Sequence, residues 1–398
     1  MSYWKRLGKS VVVGLISFSL LSVPGLIVPA RAQAQSVAVY TWASLPAGTI
    51  GVSRPEVQLK MQFPGLVLSS YSMSINGKSV PAVYDRKKEA FSYTPAAALA
   101  QGAHSVALKV QFKGYTAKTY RWSFTVKPHA VAELPGANAK QNNALAAINA
   151  LRTGSGLAKV QLHDKLNLTA AAHANYQQLN GQITHVETRG KAGYIGETVG
   201  DRTAYYGYSA PMVAEDISMQ ATTSASAATA IQDLYDAPYH RVPFLNPALT
   251  DIGYSQNGKF HVLLFGMQES PVVPVAVVSP VGTNVPASWN GHETPDPLRY
   301  HSGVRYPIGY PILTGVYGKG IKRVVPVSAS LVSSGGKAVT LLINESSKDS
   351  FLTNEVLYLP KSPLTAGTTY KVKVTMKAYH NDGTSKLYTK EWSFTTAP

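Results

Sequence analysis

Not one of the 398 residues is a cysteine. The chain nevertheless opens like an exported bacterial protein. Lys5, Arg6 and Lys9 form a positive start, and Val11 to Val23 form an apolar run that Pro24 and Gly25 break. The triplets Ala30-Arg31-Ala32 and Ala32-Gln33-Ala34 each fit a signal-peptidase site. The reading is therefore a cleaved signal peptide over residues 1–34, with a mature chain starting at Gln33 or Gln35. The alternative is a retained anchor, for which the apolar run is short. No other segment is apolar enough to cross a bilayer, so the cleaved chain is not an integral membrane protein. Without thiols, disulfides cannot staple such a chain, and each domain needs a packed core of its own. Its length suffices for two or three domains. Zinc sites with Cys ligands and Cys nucleophiles are excluded, so any metal must sit on His and carboxylates.

Charged residues are 15% of the chain, against 25 Pro, 32 Gly and 23 Tyr, which favours short strands and turns over helical bundles. Over residues 37–127 the chain alternates apolar and polar positions, as in Val57 to Phe63 and Val106 to Phe112. Asn76-Gly77 marks a tight hairpin, where both central residues need positive φ. Short strands without a helical stretch predict an immunoglobulin-like β-sandwich at 37–127. Part of the design recurs later. Gly102 leads through an alternating strand to Trp122-Ser123-Phe124-Thr125, and Gly367 leads likewise to Trp392-Ser393-Phe394-Thr395. Residues 271–398 are thus expected to hold a Pro-rich stretch, Pro271 to Pro311, and a second all-β sandwich. The stretch is either a linker or a loop packed on the centre.

Residues 138–268 differ in character. Ala139 to Arg152 carries apolar residues at helical spacing. Asp164 is placed to cap a second helix ending at Asn180-Gly181, and a third is expected over Ser224 to Tyr235. Thr250 to Gly266 reads as two strands about Gln256-Asn257-Gly258-Lys259. Helices with an intervening sheet make an α+β domain. The fold class is multidomain, with this α+β domain between two all-β immunoglobulin-like sandwiches.

The search for chemistry falls on His and carboxylates of the central domain, where the imidazoles are 163, 173, 185, 240 and 261. Ala170-Ala171-Ala172-His173-Ala174 is followed twelve residues on by Thr184-His185. Next come Ala214-Glu215-Asp216-Ile217, Ala237-Pro238-Tyr239-His240-Arg241 and Asp251-Ile252-Gly253-Tyr254. In order and spacing these pieces resemble the CAP superfamily (cysteine-rich secretory proteins, antigen 5 and pathogenesis-related proteins), in its bacterial, cysteine-free branch, over roughly residues 140–268. The resemblance implies an α–β–α sandwich with a cleft in which His185, Glu215 and His240 converge. Eukaryotic members add a second Glu before the second His. That position falls at Ala237, with Asp236 beside it, so the four-residue set is incomplete. Asp216 and Ala214 stand where Asn and Gly are usual.

Two imidazoles and a carboxylate suit a divalent metal such as zinc with an open position for water. Without metal, Glu215 can hold one His as a general base. The plainer account is a polar cleft with no catalytic role. Ser218 and Ser224 carry no mark of activation. His173 is expected to be a packing residue, and His163 and His261 have no marked context. Glu187 and Glu197 are alternative carboxylates. Arg241 is expected to pair with an acid, and Tyr205, Tyr206 and Tyr208 to serve packing. Lys and Arg outnumber Asp and Glu by 11 to 3 over residues 37–127 and by 13 to 7 over 271–398, whereas the centre holds 9 against 10. With export, and with no basic helix, this points to an anionic cell-wall or surface polymer rather than to nucleic acid. The leading expectation is a secreted or wall-associated module that binds a small hydrophobic or peptide ligand. A metal-dependent, peptidase-like hydrolase using His185, Glu215 and His240 is the rival, and a structural surface or spore-layer component is the third reading.

Overall fold

A computed structural model describes residues 5–6, 39–42 and 44–398. The expected signal segment therefore lies, but for Lys5 and Arg6, outside the described residues. Among those described, no helix is long and apolar enough to cross a membrane. The chain is mostly β, with few helices, and divides into two compact units. One joins Gly136–Val199 to Ala210–Pro398. The other takes the residues up to Pro135 together with Gly200–Ser209.

In the N-terminal unit two sheets share one apolar core. The first runs Tyr40–Thr41, Val57–Gln62, Ala90–Tyr93, Val83–Asp85. The second runs Gly48–Val52, Lys118–Val131, Gly102–Phe112, Leu68–Ile75, Lys78–Val80. Alternation puts Leu108, Val110, Phe124 and Val126 inward against Val57, Leu59, Met61 and Phe91. Asn76 and Gly77 take φ of 51° and 79°, joining Leu68–Ile75 to Lys78–Val80 as the hairpin signal predicts. The stretch Gly200–Ser209 joins this unit. The Tyr205 ring lies where a side chain on Gly51 would stand, 2.2 Å from the position of a Cβ, so only glycine fits there. Tyr206 packs on the same core, which agrees with the packing expected of these tyrosines.

The last third repeats the arrangement except for the edge strand Lys78–Val80, which has no counterpart there. One sheet runs Val275–Ser279, Ile312–Tyr317, Glu355–Pro360, Leu341–Glu345. The other runs Gly282–Val285, Ser385–Thr396, Thr369–His380, Ile321–Ser333. Phe124 and Phe394 occupy matching places, each buried and each beside a short parallel edge strand, at Gly48 and Gly282. The two Trp-Ser-Phe-Thr strands are thus the same element of a repeated topology.

In the central domain, Asn138 caps helix α1 (Ala139–Gly154) in a capping box with Gln141. Helix α2 (Asp164–Asn180) is capped by the His163 side chain, which accepts from the Lys165 N–H. The cap expected at Asp164 is corrected by one residue: Asp164 sits in the first turn, where an acid meets the positive end of the helix. Gly181, at φ 60°, ends α2. After helix α3 (Val199–Tyr205), Ser226 caps helix α4 (Ala227–Asp236), which begins three residues inside the start expected at Ser224. The sheet places Gln161–Leu162, Leu249–Asn257, Phe260–Met267 and Met212–Met219 side by side in that order. Ile252, Tyr254, Leu263, Phe265 and Met267 join Ile148 of α1 and Ile231 of α4 in one core. Gly253 turns the other way, against α2, where a Cβ would stand 2.2 Å from Leu166 backbone. Period-two alternation so puts α2 on one face of the sheet and α1 with α4 on the other.

The same core continues into the C-terminal third through Val277, Trp289, Leu298, Ile308, Leu313, Leu357 and Leu359. The stretch 271–311 therefore packs on the central domain. This explains why Ile312–Tyr317 and Glu355–Pro360 are buried at every position. Ile312, Val316, Val356 and Tyr358 face the second sheet of their own module, and Leu313, Tyr317, Leu357 and Leu359 face the central domain.

Candidate functional site

Glu215 and Asp216 are neighbours on the extended strand Met212–Met219 and so leave it on opposite sides. Glu215 meets His185, with 3.0 Å from the ring Nδ1 to Oε1, and lies 3.6 Å from Nε2 of His173 on α2. His173 is fully buried. Its Nδ1 lies 2.8 Å from Glu187 and its Nε2 2.8 Å from the Thr184 carbonyl, so both ring nitrogens face acceptors. Glu187 also accepts from the Ile195 N–H at 2.8 Å. His173 and Glu187 thereby tie α2 to the loop that carries His185, a packing role like the one expected for His173. Glu197 is exposed, and its backbone carbonyl accepts from the Glu187 N–H.

His240 meets a different acid. It stands at the start of the short helix α5 (Arg241–Phe244), and its Nδ1 lies 2.7 Å from Oε1 of Glu293, which sits in the Pro-rich stretch. The same oxygen accepts from the backbone N–H of Tyr239 at 2.8 Å and of His240 at 3.0 Å. Asp236 is turned to Tyr310 and Gln232, so the acid at His240 comes from outside the central domain. No local pattern around His240 signals this, because Glu293 is 53 residues away. The one visible hint is an acid within a Pro-rich stretch of an otherwise basic third.

The two rings are driven apart in proton affinity. Burial pushes the His185 pKa below the ordinary imidazole value, against the opposing Glu215 hydrogen bond, and the His240 charge adds to the lowering. At His240 burial also acts downward, but the Glu293 hydrogen bond and the Asp216 charge outweigh it and the ring stands above its ordinary value. Asp216 is fully buried, neither carboxylate oxygen has a hydrogen-bond partner, and burial pushes its pKa up to about 7. In the same domain His261 is also buried, its Nδ1 2.6 Å from Tyr254 OH, and burial pushes it down to about 4.

The structure thus brings His185 to Glu215 and His240 to Glu293. The side-chain rings of His185 and His240, 11% and 13% exposed, keep a narrow opening to solvent. Ser218 and Ser224 meet other partners, Gln220 and Thr222, and neither touches an imidazole. Arg241 corrects the pairing expected of it. Its guanidinium donates to the carbonyls of Tyr235, Asp236 and Pro311 and to Ser279, not to an acid. Glu215 meets the His185 ring and Glu293 the His240 ring, and among the described residues no three His, Asp, Glu or Cys side chains are grouped to hold an ion.

The profile of the cysteine-rich secretory protein family, CAP, matches residues 145–259. Those residues form a CAP domain. His185, Glu215 and His240 lie within it, whereas Glu293 lies beyond it. The search of curated proteins returned no match. Among solved structures, the chain is similar to an extracellular protein containing an SCP domain from Bacillus anthracis, at 14% identity over 60% of this chain and 83% of that one, TM-score 0.29. It is similar to a cysteine-rich secretory protein from Staphylococcus aureus, at 11% identity over 58% and 83%, TM-score 0.25. It is also similar to an outer surface protein from Borrelia burgdorferi, at 22% identity over 32% and 92%, TM-score 0.27.

Proposed function

We propose that this chain is a secreted CAP-domain protein held on an anionic cell-wall or surface polymer by its two basic, immunoglobulin-like β modules. The CAP domain binds a small hydrophobic or peptide ligand in a cleft between His185 and His240. One imidazole that gives up its proton more readily and one that holds it more tightly suit a ligand with both an apolar body and a polar or anionic end.

The observation that carries the reading is where the charges lie. Of the seven acids in residues 271–398, Glu293, Asp349 and Glu355 are buried, which leaves four at the surface against 13 Lys and Arg. Lys371 and Lys373 stand on the outer face of Thr369–His380, 67% and 59% exposed, with Glu391 as the one acid beside them. Thr375, Lys377 and Tyr379 continue that row, and Arg323 and Lys377 flank the Tyr379 ring. A row of cations and hydroxyls on a sheet face attracts a polyanion without needing a deep pocket.

The test is sedimentation of the chain with purified wall polymer rich in phosphodiester groups. Co-sedimentation is expected at low salt, and a fall of about tenfold when the Debye length shrinks from ~10 Å to ~3 Å. The triple change Lys371→Glu, Lys373→Glu, Lys377→Glu is expected to weaken it similarly, while His240→Ala leaves it intact. Binding indifferent to both salt and charge reversal would overturn the electrostatic attachment.

A further inference from the structure

The two β modules have the same strand order, yet two connections differ in length. Gly48–Val52 reaches Val57–Gln62 through four residues, whereas Gly282–Val285 reaches Ile312–Tyr317 through residues 286–311. Val83–Asp85 reaches Ala90–Tyr93 through residues 86–89, whereas Leu341–Glu345 reaches Glu355–Pro360 through residues 346–354. The sheets close without the extra residues in the first case, so the topology does not demand them in the second.

Both longer connections end on the same dipeptide of the CAP domain, Tyr239-His240. From residues 286–311 comes Glu293, whose single oxygen Oε1 gathers the two backbone N–H groups and the His240 ring. From the same segment Arg299 donates to Tyr239 OH at 2.9 Å and pairs with Asp349 at 2.7 Å. Asp349, in the other connection, also accepts from Tyr239 OH, and Asn344 donates to that hydroxyl at 3.2 Å. Glu293, Asp349 and Tyr239 are all buried. A buried charged hydrogen bond fixes both the direction of a ring and which nitrogen carries its proton.

We propose that Glu293 is a positioning residue for His240, so that the CAP site of this chain is composite and is completed by an insertion of the C-terminal module. When His240 is neutral, Glu293 holds its one proton on Nδ1 and leaves Nε2 as the nitrogen that meets the ligand. This rests on the reading of His240 as a wall of the ligand cleft, but it does not depend on attachment to a polymer.

The full chain, labelled with ¹⁵N at histidine, gives the test, because ring ¹⁵N shifts report the tautomer directly. In the wild type His240 is expected as the Nδ1–H form once deprotonated. Glu293→Ala is expected to leave a mixture of tautomers, and the His240 titration midpoint to fall as the carboxylate is lost. Glu293→Gln keeps an acceptor of the same shape without the charge. It is expected to restore the Nδ1–H form but not the midpoint, a split that loss of packing alone would not produce. His185 should be unmoved in both variants. If Glu293→Ala fails to fold, Glu293→Gln alone decides: an unchanged His240 midpoint overturns the assignment. So does a wild-type His240 carrying its proton on Nε2. Failure of polymer sedimentation would sink the attachment and leave this result standing.

Discussion

Replacing Arg241 by alanine is expected to lower the stability of its unit by about 3–5 kcal/mol, since several buried acceptors lose their donor at once. The guanidinium is fully buried. It donates to Tyr235 O at 2.6 Å, Pro311 O at 2.8 Å, Asp236 O at 3.1 Å and, at 3.4 Å, Ser279 Oγ. Its plane stacks with Tyr235 and Tyr310, at 5.1 Å and 4.7 Å. Two of the four acceptors close the end of α4 and two belong to the C-terminal module, so the side chain joins the CAP domain to the module beside it. Alanine also leaves a cavity among aromatic rings. The measurement is denaturant unfolding followed by the fluorescence of Trp289, which lies in the same core. Arg323→Ala is the control. That guanidinium is exposed and rests on Tyr379, and its loss is expected to stay within about 0.5 kcal/mol. Equal effects of the two substitutions would contradict the clamp.

Asp216→Asn is expected to stabilise the protein above neutral pH and to do almost nothing in acid. The carboxyl is buried without a hydrogen-bond partner and its pKa is raised to about 7, so the fold favours its protonated form. The stability tied to that form is complete below the unfolded value of 3.8 and is lost as pH rises through about 7. At about pH 8 the folded chain carries a buried charge that asparagine lacks, and the expected gain is about 2–4 kcal/mol. Near pH 5 the folded carboxyl is protonated while the unfolded one is ionised, and the difference should shrink to about 1–2 kcal/mol and vanish below the unfolded value of 3.8. His240 adds to the same slope, since a raised imidazole also loses its contribution as pH rises. His185 and His261, both lowered, act oppositely and lose theirs as pH falls. Melting temperatures of both proteins across this range check the claim, and parallel curves would contradict it.

What could be read in advance follows from which signals are local. Strand alternation, the Asn76-Gly77 hairpin and the two Trp-Ser-Phe-Thr strands are local, and each has its counterpart in the fold. Ile312–Tyr317 and Glu355–Pro360 carry no alternation because both their faces are covered, one of them by another domain. Gly200–Ser209 joins the N-terminal unit through a close approach at Gly51 that nothing in its own sequence announces. At the site, spacing and resemblance point to His185, Glu215 and His240. They could not show that Glu215 and Asp216 point to opposite sides, or that an acid 53 residues beyond His240 returns to hold its ring. Arg241 was expected to find an acid because buried cations usually do. Carbonyls at the end of a helix served instead.

The central proposal is that two imidazoles of unlike proton affinity, each held by its own carboxylate, form the working surface of the CAP domain. A pH titration of the His185 and His240 rings in the intact chain, followed by NMR, tests it most directly. His185 is expected to titrate below the ordinary 6.5 and His240 above it. Coincident titration of the two near 6.5, or the reverse order, would contradict it.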